Sequence, residues 1–124
     1  MKTFFILVIG LTFVSLVNAA TPQATQLHCN KNNVPKIIKP MENWEIVADN
    51  TATIKSATVF SGDKLTYTFS AHPKNVKNIV TINKATGVIE VKAEKKDNFD
   101  ITVKASNLCG TISNTFNVVI DEDE

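Results

Sequence analysis

The sequence contains no arginine: all 13 side chains counted as basic are lysines, against 12 acidic ones. Planar, two-pronged gripping of phosphate or carboxylate belongs to guanidinium groups. No basic face interleaved with aromatics compensates, so nucleic-acid binding is not expected. Cysteine is scarce too. Cys29 and Cys109 are the only two, no C-x-x-C is present, and His28 and His72 lie far apart in the chain. No local metal-ligand spacing results, and neither a metal nor a redox centre is expected. There is no phosphate-cradling glycine loop. Ser61, in "FSGDK", lacks the elbow motif of a nucleophile. Asparagine is abundant but never in an N-x-[S/T] sequon, so N-glycosylation is not expected. The chain therefore reads as non-catalytic and without a cofactor.

The first residues carry their own meaning. Lys2 precedes an apolar run from Phe4 to about Val17, and small residues follow. That order predicts a secretory signal peptide over residues 1–19, cleaved after Ala19 or, alternatively, after Ala20. The run is shorter than the ~20 residues a membrane span needs, and no other stretch could cross a bilayer. The mature chain is expected to be exported and free of membrane spans. In an oxidising compartment two cysteines allow one intramolecular pairing, so Cys29 and Cys109 are expected to form a disulfide. Residues 20–35 are polar and aperiodic, an N-terminal arm ordered only near Cys29. Residues 121–124, "DEDE", form an acidic solvated tail.

Between arm and tail the dominant period is two. "KLTYTFSA" sets Leu65, Tyr67 and Phe69 on one face and Thr66, Thr68 and Ser70 on the other. "VIEVKAE" aligns Ile89, Val91 and Ala93. "FDITVKASN" aligns Phe99, Ile101, Val103 and Ala105, and "TFNVVI" closes with Phe116, Val118 and Ile120. "TATIKSATVF" is a further β-branched run. "PKIIKP" reads as a short edge strand confined by its prolines, which "NWEIVAD" continues. Trp44, the only tryptophan, is expected in or over the core. "SGD", "HPKNVKN", "KKDN" and "LCGTIS" break the pattern as turns and loops. In "TINKATGVIEV" five residues join two half-buried strands, and Gly87 is expected to supply a positive φ. No window shows a helical period. Strands of alternating pattern with turn signals about every ten residues predict an all-β, antiparallel sandwich of about seven strands over residues 36–120.

The pieces "LTYTFSA", "IVTINKATGVIEV" and "FDITVKASNLCGTISNTFNVVI" resemble the Ig-like and dystroglycan-type cadherin-like repeats of secreted and surface proteins. Asn83, Thr86, Gly87 and Ile89 match the turn of that pattern. Val103, Ala105, Asn107, Gly110, Phe116 and Val118 match its closing strands. Two departures stand out. Phe99 occupies a position where the family often has tyrosine, so no hydroxyl-to-backbone corner bond forms there. The acidic calcium motifs of true cadherins are absent, and calcium binding is not expected. The resemblance implies an Ig-like β-sandwich and allows the strands to be named A to G. The B–C, D–E and F–G turns and the start of strand A then share one end, which brings Cys29 close to Cys109. The opposite end collects Lys74, Lys77, Lys95 and Lys96, with the acidic tail nearby to screen them or, alternatively, to cover a basic docking surface.

The function these readings imply is a small secreted binding or adhesion module that presents loops on an Ig-like scaffold to a protein or glycan at a cell surface or in the extracellular space. Its candidate binding loops lie at the disulfide end: Ser61, Gly62 and Asp63; Asn83, Lys84, Ala85, Thr86 and Gly87; Asn107, Leu108, Gly110 and Thr111. Two alternatives remain open. One is a secreted protease inhibitor resembling the chagasin type, Ig-like proteins that use three loops at one end. The hallmark Asn-Pro-Thr-Thr-Gly segment is missing here, with only Ala85, Thr86 and Gly87 as an echo, and the Arg-Pro-Trp motif is absent. The other is a coat component that self-associates through an exposed edge near residues 36–39.

Overall fold

A computed structural model describes residues 29–122. The expected signal peptide with Ala19 and Ala20, residues 20–28 of the arm, and residues 123–124 lie outside the described residues. Among the described residues nine strands follow one another: β1 (Lys36–Ile37), β2 (Trp44–Val47), β3 (Asn50–Lys55), β4 (Phe60–Ser61), β5 (Thr66–Ala71), β6 (Ile79–Ile82), β7 (Val88–Ala93), β8 (Asp97–Asn107) and β9 (Gly110–Asp121). A single 3-10 turn, Ser56–Val59, links β3 to β4. One sheet has the order β2-β9-β8-β5 and the other β3-β7-β6, while β1 and β4 form a short pair.

The period-two pattern explains the layering. Ile89, Val91 and Ala93 on β7, Phe99, Ile101, Val103 and Ala105 on β8, and Phe116, Val118 and Ile120 on β9 are all buried. Ala52 and Ile54 of β3, Ile46 of β2 and Tyr67 of β5 complete the same cluster. Each fully buried branched side chain contributes roughly 1.5–3 kcal/mol relative to exposure, so the two facing stripes supply the main driving force. Trp44 is half-buried and packs against this cluster from β2.

Two segments expected as single strands are each split, which raises the strand count. Lys36 and Ile37 pair with Ser61 and Phe60. Past Pro40, which offers no N–H to a ladder, the chain crosses to the four-stranded sheet. There Trp44 to Val47 run parallel to Val118 to Asp121, the one parallel pairing among the described residues. "TATIKSATVF" is interrupted at Ser56, which is fully buried. Its N–H donates to the Gly87 carbonyl at 3.2 Å, and its hydroxyl donates to the same oxygen. Val59, the last residue of this turn, and Phe60 are then buried in succession, unlike the alternating pattern of a strand with one face outward. The turns expected at "KKDN" and "LCGTIS" are shorter than their composition suggests, since β8 begins at Asp97 and β9 at Gly110. Only Leu108 and Cys109 separate the two long strands, whose ladder starts at Asn107 and Gly110.

Gly87 has φ +74, and a Cβ placed there would sit 3.1 Å from Ser56 Oγ, 3.2 Å from Ala57 N and 3.2 Å from the Tyr67 ring. The positive φ expected from the sequence is thus joined by a steric requirement. Gly87→Ala is expected to cost about 2 kcal/mol, from the left-handed backbone and from displacing the buried Ser56 bond. Urea denaturation of the variant checks this; a loss within the scatter of surface substitutions would show that the loop relaxes freely.

Candidate functional site

The end of the sandwich that carries the expected loops is built from backbone bonds and one amide. Cys29 and Cys109 form a disulfide with Cα atoms 5.5 Å apart, closing a separation of 80 residues. Behind it, Asn107 Nδ2 donates to the Asn33 carbonyl at 2.6 Å and to the Asp63 carbonyl at 2.8 Å. The Asp63 N–H in turn reaches the Asn33 carbonyl at 3.3 Å, and the Cys109 N–H reaches Asn107 Oδ1 at 2.7 Å. One asparagine therefore ties the N-terminal arm, the turn before β5 and the turn between β8 and β9 together. Gly62, at φ +148, lets the chain pass close by: a Cβ there would meet Leu65 at 3.0 Å and the backbone of Pro35 at 3.2 Å.

This brace leaves a groove of about 410 Å³ lined by Asp63, Lys64, Thr66, Ser106, Asn107 and Leu108. Leu108 stands 89% exposed at its rim. Lys64 holds φ +51 without being glycine, a conformation that costs energy and turns the chain sharply into β5. The turn of residues 83–87 reaches the same end by a different route. Asn83 Oδ1 accepts from the N–H groups of Ala85 (2.9 Å) and Thr86 (3.1 Å), and the Lys84 carbonyl accepts from Tyr67 N–H at 2.9 Å. Lys84 lines a separate groove rather than the one at Leu108.

The structure thus divides the expected loop residues by exposure. Asp63, Asn83, Lys84, Ala85, Thr86, Leu108, Gly110 and Thr111 are exposed; Gly87 is buried; Ser61 lies in β4 opposite Lys36; Gly62 and Asn107 are half-buried scaffold. Lys64, Thr66 and Ser106 line the groove without having been singled out from the sequence. A composition-based turn ending at Asp63 stops one residue short of Lys64. Thr66 and Ser106 read as ordinary outward strand positions, and their register pairing is what sets them side by side.

The opposite end has its own polar centre. Asn78 and Asp97 are both buried. Asn78 Oδ1 accepts from the N–H groups of Glu94 (2.7 Å) and Lys95 (2.9 Å), and its Nδ2 donates to the Lys95 carbonyl and to Asp97 Oδ2, each at 3.0 Å. Asp97 also accepts from Asn75 N–H at 3.0 Å and Asn98 N–H at 2.8 Å. Burial pushes the Asp97 carboxyl up, but the bonds from Asn75, Asn78, Asn98 and the Lys74 backbone outweigh it and hold the group below its ordinary value. Burial alone raises the Tyr67 hydroxyl. Lys74 and Lys96 line a neighbouring groove with Asp121, which places the start of the acidic tail beside two of the four expected lysines. Lys74 Nζ itself donates to the Asn98 carbonyl at 2.7 Å.

No protein-family model matches the chain, and no curated protein matches it. Solved structures do. A SusE-like surface located polysaccharide binding protein from the heparin utilisation locus of Bacteroides thetaiotaomicron aligns with TM-score 0.59 and 22% identity, over 72% of this chain and 15% of its own. A candidate alpha-galactosidase/melibiase of Bacteroides fragilis aligns with TM-score 0.56 and 22% identity, over 72% of this chain and 18% of its own. Titin domain M7 aligns with TM-score 0.52 and 17% identity, over 70% of this chain and 93% of its own. The chain therefore corresponds to under a fifth of the two bacterial proteins and to nearly the whole of the titin domain. The disulfide is consistent with an extracellular location. With its two facing sheets and these structural likenesses, the fold is that of an Ig-like β-sandwich.

Proposed function

We propose that the protein is a secreted, non-catalytic binding module whose recognition surface is the disulfide-braced end. The carrying observation is the Asn107 brace, which fixes a groove beside an almost fully exposed leucine. An exposed apolar tip on a stiffened loop loses little conformational freedom on binding, and such anchors dominate interface energetics. A protein or glycan ligand outside the cell is the class this surface suits. The polysaccharide-binding role of the SusE-like protein supports the glycan branch.

The test is binding of the labelled protein to immobilised polysaccharides and extracellular-matrix proteins, with Leu108→Asp and Lys64→Glu compared in parallel. Either substitution is expected to weaken binding tenfold or more, on the scale of a ~1.4 kcal/mol anchor. Binding that persists unchanged in both variants would remove this end from consideration. One observation favours the inhibitor reading: the turns before β5, between β6 and β7, and between β8 and β9 lie at one end, the arrangement chagasin-type inhibitors use. Tight inhibition of papain would replace the first reading with that one.

A further inference from the structure

The two sheets each leave one edge open on the same side of the sandwich: β5 in the four-stranded sheet and β6 in the three-stranded one. Among the described residues one backbone bond joins the two edges, from Tyr67 N–H to the carbonyl of Lys84 just past the end of β6. Backbone groups alternate sides along a strand, so this outward bond leaves, besides the Tyr67 carbonyl, the outward N–H and C=O groups of Phe69 and Ala71. Among the described residues nothing outside the strand ladders bonds to either. Past the Lys84 contact the edges diverge around a groove of about 430 Å³, floored by Phe69, Val80 and Ile82. What satisfies such an edge is another extended backbone.

Charge decides whose. From Leu65 to Ala71 there is no charged side chain and no proline, so β5 itself carries no guard against pairing, while Pro73 at the next outward position confines it to Phe69 and Ala71. Its outward side chains Thr66, Thr68 and Ser70 are hydroxyls. The same sheet already joins hydroxyls across strands, with Thr102 Oγ1 2.7 Å from Thr115 Oγ1. β6 is different. Pairing it antiparallel with itself, Ile79 facing Ile82, would set Lys77 opposite Lys84, a like-charge contact that disfavours the match.

We propose that β5 pairs antiparallel with β5 of a second copy about a two-fold axis at Ser70. Phe69 exchanges both backbone bonds with Ala71 of the second copy, and the reverse, while Ser70 faces its equivalent. The two four-stranded sheets then become one continuous eight-stranded sheet, an isologous contact that closes on itself. Four main-chain bonds and a small apolar border make a weak, concentration-dependent dimer, with half-association on the order of 10–1,000 μM.

Sedimentation velocity of the oxidised protein from about 10 μM to about 1 mM tests this range, with Ser70→Lys and Thr53→Lys in parallel. Both positions are exposed, and Thr53 lies on the other sheet. Wild type and Thr53→Lys are expected to shift towards dimer, while Ser70→Lys, which opposes two lysines across the axis, loses at least tenfold in association. Amide exchange at Phe69 and Ala71 should slow with protein concentration. A wild type that stays monomeric at the highest concentration overturns the proposal, as does a Ser70→Lys dimer of unchanged strength. Protection of both amides at every concentration also overturns it, by showing that some other segment covers the edge. If Ser70→Lys fails to fold, the concentration dependence of wild-type exchange decides alone.

Discussion

Replacing Cys29 and Cys109 together with serine is expected to lower stability by about 3–4 kcal/mol, most of the chain-entropy value for a loop of 80 residues. The bridge restrains the unfolded chain over nearly the whole domain. It also holds the arm on which Asn33 accepts from Asn107 and Asp63. The loss should therefore have two parts: a global one, seen as a lower denaturant midpoint, and a local one, seen as faster amide exchange at Asp63 and Cys109 or its replacement. Wild type treated with reductant should reproduce the double variant. A loss below about 1 kcal/mol would mean that the asparagine brace and the packing of buried Pro35 hold the end without the bridge.

Asn78→Ala is expected to cost about 3 kcal/mol, because it removes four bonds and leaves the Glu94 and Lys95 amides without their acceptor. Asp97 adds a pH signature. Its folded-state value is depressed, so between that value and the unfolded one, near ~3.9, the unfolded chain binds more protons. Its contribution is complete above the unfolded value and disappears as pH falls through the folded one. Wild-type stability should therefore decline on acidification below about pH 4, and Asp97→Asn, weaker at neutral pH, should decline less over that interval. Urea midpoints measured across the acid range check both; identical acid slopes would show that other carboxylates govern that limb.

Alternation made most of the core legible. Ile89, Val91, Phe99, Ile101, Val103, Phe116, Val118 and Ile120 each face inward because the sequence places them at every second position. The pairing of the two cysteines followed from oxidation chemistry and the naming of strands. The interruptions were harder to read. Ser56 looks like an outward polar residue, and only the Gly87 carbonyl arriving from a distant strand reveals it as buried. The parallel run of β2 beside β9 depends on which sheet the chain rejoins after Pro40, and local pattern carries no information on that choice. The Asn78–Asp97 centre was invisible for the same reason: both residues belong to polar loops whose composition predicts solvent, and their burial comes from contact between turns 19 residues apart.

The covalent link near the start of the described chain has a mechanical corollary. Tension applied to the two termini would enter at Cys29, cross the sulfurs to Cys109 and leave along β9, bypassing the 80-residue span between them. While oxidised, the described residues could lengthen only by drawing out their last strand, roughly 40 Å of contour. After reduction the same pull would release roughly 300 Å. Redox state would therefore decide whether this domain behaves under load as a short tether or as a long extensible one.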